Sequence, residues 1–138
     1  MQIVVDASVV VSWALIDESD PYADSVLPAA MAAMNIVPSH WVLEVLNGIL
    51  VAERRGRITE ADSVAAVNLV RQMQIEIDIS TFDYATATTA NLCRKYGLTS
   101  FDAAYLELAI RKSIPLATLD TKLRTACLAA GAGLFLPA

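Results

Sequence analysis

Short apolar runs alternate with longer helical patterns along the 138 residues of the chain. The run Ile75–Ile79 alternates apolar and acidic residues, which predicts a strand with one solvated face at an edge of a sheet. The other predicted strands are almost wholly apolar, as in a sheet covered on both faces: Ile3–Val5, Ile36–Val37, Leu116–Leu119 and Leu134–Leu136. Strands that alternate with helices predict an α/β fold with a parallel sheet of about five short strands.

Capping residues and helix breakers mark where the helices begin and end. Thr59 and Asp62 resemble a capping box, with Asp in place of Glu, at the start of a fourth helix. Ser39 is predicted to cap the third helix. A fifth helix is predicted to run from Thr81 to a stop at Gly97. The sequence contains no linker, repeat or low-complexity segment, which favours a single domain over residues 1–138.

Three acidic residues are predicted at the ends of these elements. Asp6 follows the first strand, Asp102 lies in the first turn of a helix capped by Thr99, and Asp120 follows the strand after that helix. Because parallel sheets bind ligands beyond the carboxyl ends of their strands, we expect Asp6 and Asp120 at one cleft. Each acid alone fits a helix cap or first turn. Together they favour a divalent cation.

Glu44 is a fourth candidate, because it lies in a predicted helix that is apolar almost all round. Such a helix is largely buried, so its carboxylate needs a partner. His40, four residues earlier, and Asn47, three residues later, offer local hydrogen bonds. A metal ion is the alternative, and the residues alone leave both interpretations open.

Composition limits the classes of function. The net charge of −5 and pI of about 4.7 argue against a general basic nucleic-acid binder. They do not exclude a nuclease, because acids that bind metal lower the pI while the metal restores attraction for phosphate. A hydrophobic fraction of 56% indicates a well-buried core or a surface that needs a partner.

The chain shows no sign of a membrane or secretory segment. No apolar run approaches the roughly 20 residues of a membrane span, and no basic segment precedes the first strand. Cys93 and Cys127 lack CxxC spacing and are predicted to be reduced core thiols. We therefore expect a cytoplasmic protein without membrane association.

The acidic motifs together resemble the PIN domain family. The matching features are Asp6 after a first strand, Glu44 with Asn47 in one helix, Ser100–Ala103 at a helix start, and Thr118–Asp120. More narrowly, the whole chain resembles the VapC-like toxin ribonucleases of toxin–antitoxin pairs. The resemblance implies a three-layer α/β/α PIN domain that acts as a Mg²⁺- or Mn²⁺-dependent endoribonuclease (a hydrolase).

The same resemblance implies particular site residues and partners. It implies an RNA substrate, a small cognate VapB-like antitoxin and a homodimer. It assigns the catalytic metal site to Asp6, Glu44, Asp102 and Asp120, with Ser8, Asn47 and Thr118 as supporting polar residues. Lys122 lies near a position where some PIN nucleases carry a further acid, so the number of metals stays open. Lys122 and Arg124 are candidates for holding RNA phosphates, and solvated helix residues are the equal alternative.

Other classes of protein would require different residues at some of these positions. A PIN-type RNA-processing nuclease without an antitoxin is the nearest alternative. An aspartate phospho-acceptor receiver domain normally has adjacent acids after the first strand, whereas Asp6 stands alone; a phosphatase usually has an Asp where Ser8 stands. Acid-labile phosphorylation of Asp6 would favour those two classes. His40 is the only histidine, which excludes a paired-histidine ribonuclease.

Overall fold

The computed structural model describes residues 1–137 and contains a parallel sheet of four strands in the order β3-β2-β1-β4. The strands are β1 (Gln2–Val5), β2 (Met34–Val37), β3 (Gln74–Ile77) and β4 (Leu116–Ala117). The successive residues Ile3, Val4 and Val5 are fully buried, although neighbouring side chains of a strand point to opposite faces. Helices therefore cover both faces of the sheet, in the predicted three-layer arrangement.

Eight α-helices accompany these strands in the described part of the chain. They are α1 (Ala7–Ala14), α2 (Pro21–Ala32), α3 (Trp41–Arg54), α4 (Glu60–Gln72), α5 (Thr81–Tyr84), α6 (Ala90–Tyr96), α7 (Ser100–Lys112) and α8 (Thr121–Ala129). A π-helical turn, Ala85–Thr89, joins α5 to α6. None of the helices within residues 1–137 is both long and apolar enough to cross a membrane. Cys127 is buried, Cys93 is half-buried, and both are free thiols, as predicted.

The strand order places a topological switch point between β1 and β4. From β1 the chain proceeds to β2 and β3 on one side, and β4 then pairs with β1 on the other side. Ligands of parallel sheets bind at the carboxyl ends of strands at such a point. Asp6 follows β1 and Asp120 lies three residues after β4, so the topology brings these two acids to the same crevice.

A glycine allows α1 and α3 to approach closely. A Cβ atom at Gly48 would lie 2.6 Å from Cγ2 of Val11, which is shorter than any ordinary van der Waals contact. Gly48 lies one turn after Glu44 on α3, and α1 begins directly after Asp6. The close packing therefore holds the helix that carries Glu44 against the element that carries Asp6.

The helix α3 is buried along one face only, which corrects the prediction of a largely buried helix. Its buried residues recur at three- and four-residue intervals: Trp41, Val45, Ile49 and Ala52. On the remaining surface Leu43 is 68% exposed and Val42 is 49% exposed. The other apolar residues of this helix, such as Val42 and Leu43, face the solvent and do not contribute to the core.

Two predicted helix boundaries differ from the structure. Ser39 does not cap α3: the N-cap position is occupied by His40, and the Ser39 backbone N–H donates a hydrogen bond to Thr81 Oγ1 at 3.2 Å. The helix predicted from Thr81 to Gly97 is interrupted by the π-helical turn, but it does end at Gly97, whose φ of +64° suits glycine.

The outermost strands are shorter than the sequence predicted. β3 is an edge strand as predicted, but it ends at Ile77; Asp78 is buried and Ile79 is 93% exposed, opposite to the alternation. The predicted strand Leu134–Leu136 is reduced to one bridge, between Leu134 and Leu116. Because β4 contains only two residues, it offers too short a partner for a full fifth strand.

Candidate active site

An acidic cleft of about 640 Å³ lies at the switch point of the sheet. All four acids of the predicted metal site line it, and no lysine or arginine of residues 1–137 does so. The acidic lining residues are Asp6, Glu18, Asp20, Glu44, Asp102 and Asp120. The cleft therefore carries a concentrated negative charge, with His40 as a neighbouring group that contacts one of its acids.

Asp6 is held by two hydroxyl groups at the floor of the cleft. Its Oδ2 atom accepts hydrogen bonds from Ser8 Oγ at 2.7 Å and from Thr118 Oγ1 at 2.6 Å. Asp6 occupies the N-cap position of α1, but its carboxylate makes no capping hydrogen bond. The structure thus brings Asp6 together with the two hydroxyl residues that the sequence predicted beside it.

The same hydroxyl groups join the ends of β1 and β4. Ser8 Oγ accepts from the Leu119 backbone N–H at 3.1 Å, and Thr118 Oγ1 accepts from the Asp120 N–H at 3.1 Å. Asp120 caps α8, because its Oδ1 atom accepts from the Leu123 N–H at 2.7 Å. Asp120 is therefore both a helix cap and a residue of the cleft, two roles that the sequence treated as alternatives.

Asp102 lies in the first turn of α7, after Thr99, in a Thr-x-x-Asp pattern like that of Thr59 and Asp62. Thr99 Oγ1 accepts from the Asp102 N–H at 3.2 Å, but the return bond from the Thr99 N–H to the Asp102 carboxylate is absent. The same pattern at the start of α4 forms both bonds, between Thr59 and Asp62. The Asp102 carboxylate therefore makes no capping hydrogen bond, and it lines the cleft.

Glu44 is restrained by two aromatic side chains. Its Oε1 atom accepts a hydrogen bond from the Tyr105 hydroxyl at 2.6 Å and lies 3.1 Å from His40 Nε2, which is not aligned for a full hydrogen bond. The predicted local contact with His40 is therefore present. Asn47 is exposed and, within the described residues, neither bonds to Glu44 nor lines the cleft.

Sequence reasoning missed Tyr105, although one signal for it existed. Tyr105 follows Asp102 by three residues on α7, so both side chains lie on one face of that helix. The long apolar pattern of α7 makes an aromatic residue at this position look like ordinary core. Only the contact with Glu44 on another helix distinguishes its hydroxyl group from packing.

The acids affect one another electrostatically. The pKa of Asp6 is raised to about 6, chiefly by burial and also by the charges of Asp102 and Glu44, against the opposing hydrogen bonds of Thr118 and Ser8. The pKa of Asp102 is raised by burial and by the charges of Asp120 and Glu44. Burial also acts to raise the pKa of Glu44, but His40 and Tyr105 outweigh it and the net shift is downward.

Several carboxylate oxygens of the cleft have no protein donor. Within residues 1–137, no hydrogen bond reaches Asp6 Oδ1, Glu44 Oε2, Asp120 Oδ2 or either carboxylate oxygen of Asp102. In their present arrangement, no three or more His, Cys, Asp or Glu residues of this part of the chain lie close enough together to hold an ion. The donor chemistry itself, all hard oxygen, fits Mg²⁺ or Mn²⁺.

The two basic candidates lie outside the cleft. Arg124 donates from Nε to the Thr118 carbonyl at 2.7 Å, and its guanidinium carbon lies 4.1 Å from the centre of the Tyr22 ring. Lys122 is exposed on α8, with its side chain beside Gly97. Arg124 therefore supports the segment behind the cleft, and RNA binding by either residue stays a prediction.

The family model of the PIN domain matches residues 3–127, so the chain belongs to the PIN domain family. This membership favours the nuclease hypothesis over the receiver and phosphatase alternatives. No curated protein sequence matches the chain significantly.

Two solved structures share the fold at low sequence identity. PAE2754 from Pyrobaculum aerophilum is 20% identical with a TM-score of 0.67, and the match covers 91% of this chain and 79% of that one. FitAcB from Neisseria gonorrhoeae is 16% identical with a TM-score of 0.66, and the match covers 99% of this chain and 98% of that one. At these identities the likeness concerns the fold alone.

Proposed function

We propose that this protein is a Mg²⁺- or Mn²⁺-dependent endoribonuclease that hydrolyses RNA phosphodiester bonds in the acidic cleft. PIN domains are generally nucleases. The observation that carries the proposal is the convergence of Asp6, Glu44, Asp102 and Asp120 on one cleft without a lysine or arginine in the lining of the described chain. An acidic cleft in a chain of net charge −5 repels a polyanion, so RNA entry requires a cation.

The four acids and the hydroxyl groups that bond to them have definite roles in this proposal. The four acids would hold the cation, which when bound supplies an activated water and neutralises charge on the phosphate. Ser8 and Thr118 hold one oxygen of Asp6, and Tyr105 holds one oxygen of Glu44. Each of these two carboxylates thereby keeps its second oxygen for the cleft. Asp120 does the same, because α8 occupies only its Oδ1 atom.

The test is RNA cleavage by the purified chain with and without divalent metal. A fluorescent RNA with an exposed single-stranded loop is the substrate, because unpaired bases and backbone are accessible there. We expect cleavage with Mg²⁺ or Mn²⁺, none in EDTA, and recovery when metal is restored in excess. Undiminished cleavage in EDTA would rule out the proposed mechanism.

We further propose that the protein acts as the toxin of a toxin–antitoxin pair. The support is the VapC-like combination of motifs together with the character of the cleft, since a guanidinium group pairs well with clustered carboxylates. A segment of the small antitoxin would cover the cleft and insert an Arg or Lys among the acids. A co-purified partner that leaves ribonuclease activity intact would contradict this, and would favour an RNA-processing nuclease without an antitoxin.

The exposed apolar face of α3 supports a homodimer. Leu43, Leu46 and Leu50 are 68%, 39% and 37% exposed, and Val64 on the neighbouring α4 is 54% exposed. Monomeric proteins rarely leave such contiguous apolar surface in water. Light scattering of the purified chain is expected to give twice the mass of 14.8 kDa, and a monomer at micromolar concentration would contradict the dimer.

A further inference from the structure

The hydroxyl group of Tyr105 connects three parts of the acidic cleft. Tyr105 is fully buried on α7, one turn after Asp102. Its hydroxyl donates to Glu44 Oε1 at 2.6 Å and accepts a longer bond from the Ala7 N–H at 3.4 Å. Ala7 follows Asp6 directly, so one phenolic oxygen contacts the acid of α3 and the peptide next to the acid of β1.

Packing alone does not account for this hydroxyl group. Burial of a hydroxyl costs free energy unless hydrogen bonds compensate for the lost water. A phenylalanine would fill the same volume and would keep the edge contact of the ring with His40, whose ring centre lies 5.4 Å away. Burial and the neighbouring charges of Asp6 and Glu44 raise the pKa of Tyr105, so the phenol stays protonated and remains a donor.

Glu44 needs such a restraint because its own helix provides little. Its side chain is 31% exposed, and its neighbours Val42, Leu43 and Leu46 on α3 are exposed as well. The carboxylate at the end of a long side chain would otherwise sample several rotamers. Tyr105 and His40 both contact Oε1, which leaves Oε2 without a protein partner in the described chain.

We propose that Tyr105 is a positioning residue. Its hydroxyl group holds the Glu44 carboxylate where it can bind the same cation as Asp6 and Asp102. The inference rests on the proposed metal-dependent function and adds to it a residue outside the four acids. Groups that orient metal ligands through hydrogen bonds typically contribute about 10–100-fold in metal affinity or activity.

The test compares two tyrosine variants that each lose one hydroxyl group. Tyr105→Phe keeps the buried ring. Tyr22→Phe is the matched control, because the Tyr22 hydroxyl donates a bond of similar length, 2.7 Å, to the Phe135 carbonyl outside the cleft. We expect Tyr105→Phe to weaken Mn²⁺ binding, measured by calorimetry, by about 10–100-fold and to lower RNA cleavage to a similar degree. Tyr22→Phe should leave both quantities unchanged.

A double-variant cycle separates positioning from general structure. In a Glu44→Gln background, the hydroxyl of Tyr105 no longer holds a ligand carboxylate, so Tyr105→Phe should cost little further Mn²⁺ affinity. Equal losses in both backgrounds, or unchanged Mn²⁺ affinity in the single Tyr105→Phe variant, would overturn the inference. A wild-type chain that binds no Mn²⁺ would instead overturn the proposed function, and this inference with it.

Discussion

Asp102→Asn is expected to lower RNA cleavage by at least about 100-fold while the metal-free protein keeps or gains stability. The expected loss follows from the proposed role of Asp102 as a metal ligand, because its carboxylate makes no return bond to Thr99 and lines the cleft. Asparagine keeps the size of the side chain but removes the negative charge that a hard cation prefers.

The expected gain in metal-free stability has a separate cause. Burial raises the pKa of Asp102, and the charges of Asp120 and Glu44 also raise it, because the ionised carboxylates repel one another in the folded protein. Removal of one charge relieves this repulsion. A residue that served only the helix dipole of α7 would instead lose about 0.3–1 kcal/mol on substitution, with activity unchanged.

Asp62→Asn provides a matched control for this substitution. Asp62 occupies the same position of the same Thr-x-x-Asp pattern on α4, but its carboxylate completes the capping box at 2.9 Å and does not line the cleft. We expect this variant to lose a little stability and to keep full activity. Melting curves with and without Mg²⁺, together with one cleavage assay, compare the two. An Asp102→Asn protein that is less stable yet fully active would overturn the assignment of Asp102.

The positions of Asp6 and Asp120 could be predicted because they depend on local patterns. An apolar run marks a strand that is covered on both faces, and a polar residue at its carboxyl end lies at the edge of the sheet where ligands bind. Short-range signals also located most helix ends, as at Thr59 and Gly97. For these features the local sequence and the tertiary structure favour the same answer.

The contacts of Glu44 could not be predicted in the same way. The local partner His40 follows from helical spacing, but Tyr105 lies 61 residues away in sequence and contacts Glu44 from another helix, α7. The two Thr-x-x-Asp patterns make the same point, since only the one at Thr59 closes into a capping box. The tertiary environment decides between two outcomes that are locally equivalent.

The edge strand β3 shows how one ion pair can override an alternating pattern. The sequence places the isoleucines of Ile75–Ile79 on the inner face, yet Ile77 and Ile79 are exposed and Asp78 is buried. Arg111 on α7 forms an ion pair with the buried Asp78, and its Nη2 atom lies 2.5 Å from Oδ2. This partner is 33 residues away, so the alternation alone gave no indication of it.

Arg111→Met is expected to lower the free energy of unfolding by about 3–5 kcal/mol at neutral pH, because it leaves two buried acids without their cation. Arg111 Nε donates to both oxygens of Glu107, at 2.9 and 3.0 Å, while its other nitrogens bond to Asp78. The side chains of Asp78 and Glu107 are only 5% and 3% exposed. Methionine preserves much of the apolar volume, including the contact with the Tyr84 ring, but none of the charge.

Arg57→Met is the control for the substitution itself, since Arg57 pairs with Asp17 and Glu18, which are 54% and 68% exposed. Exposed pairs of this kind contribute about 0–1 kcal/mol.

The double variant Arg111→Met/Glu107→Gln should recover part of the loss of stability. Arg111 is the one side-chain partner of Glu107 in the described structure, whereas Asp78 also accepts from the Ser80 N–H. Urea denaturation of the three variants measures these differences. A loss for Arg111→Met no larger than for Arg57→Met would show that the buried ion pairs do not fasten α7, and with it Asp102, to the β3 edge.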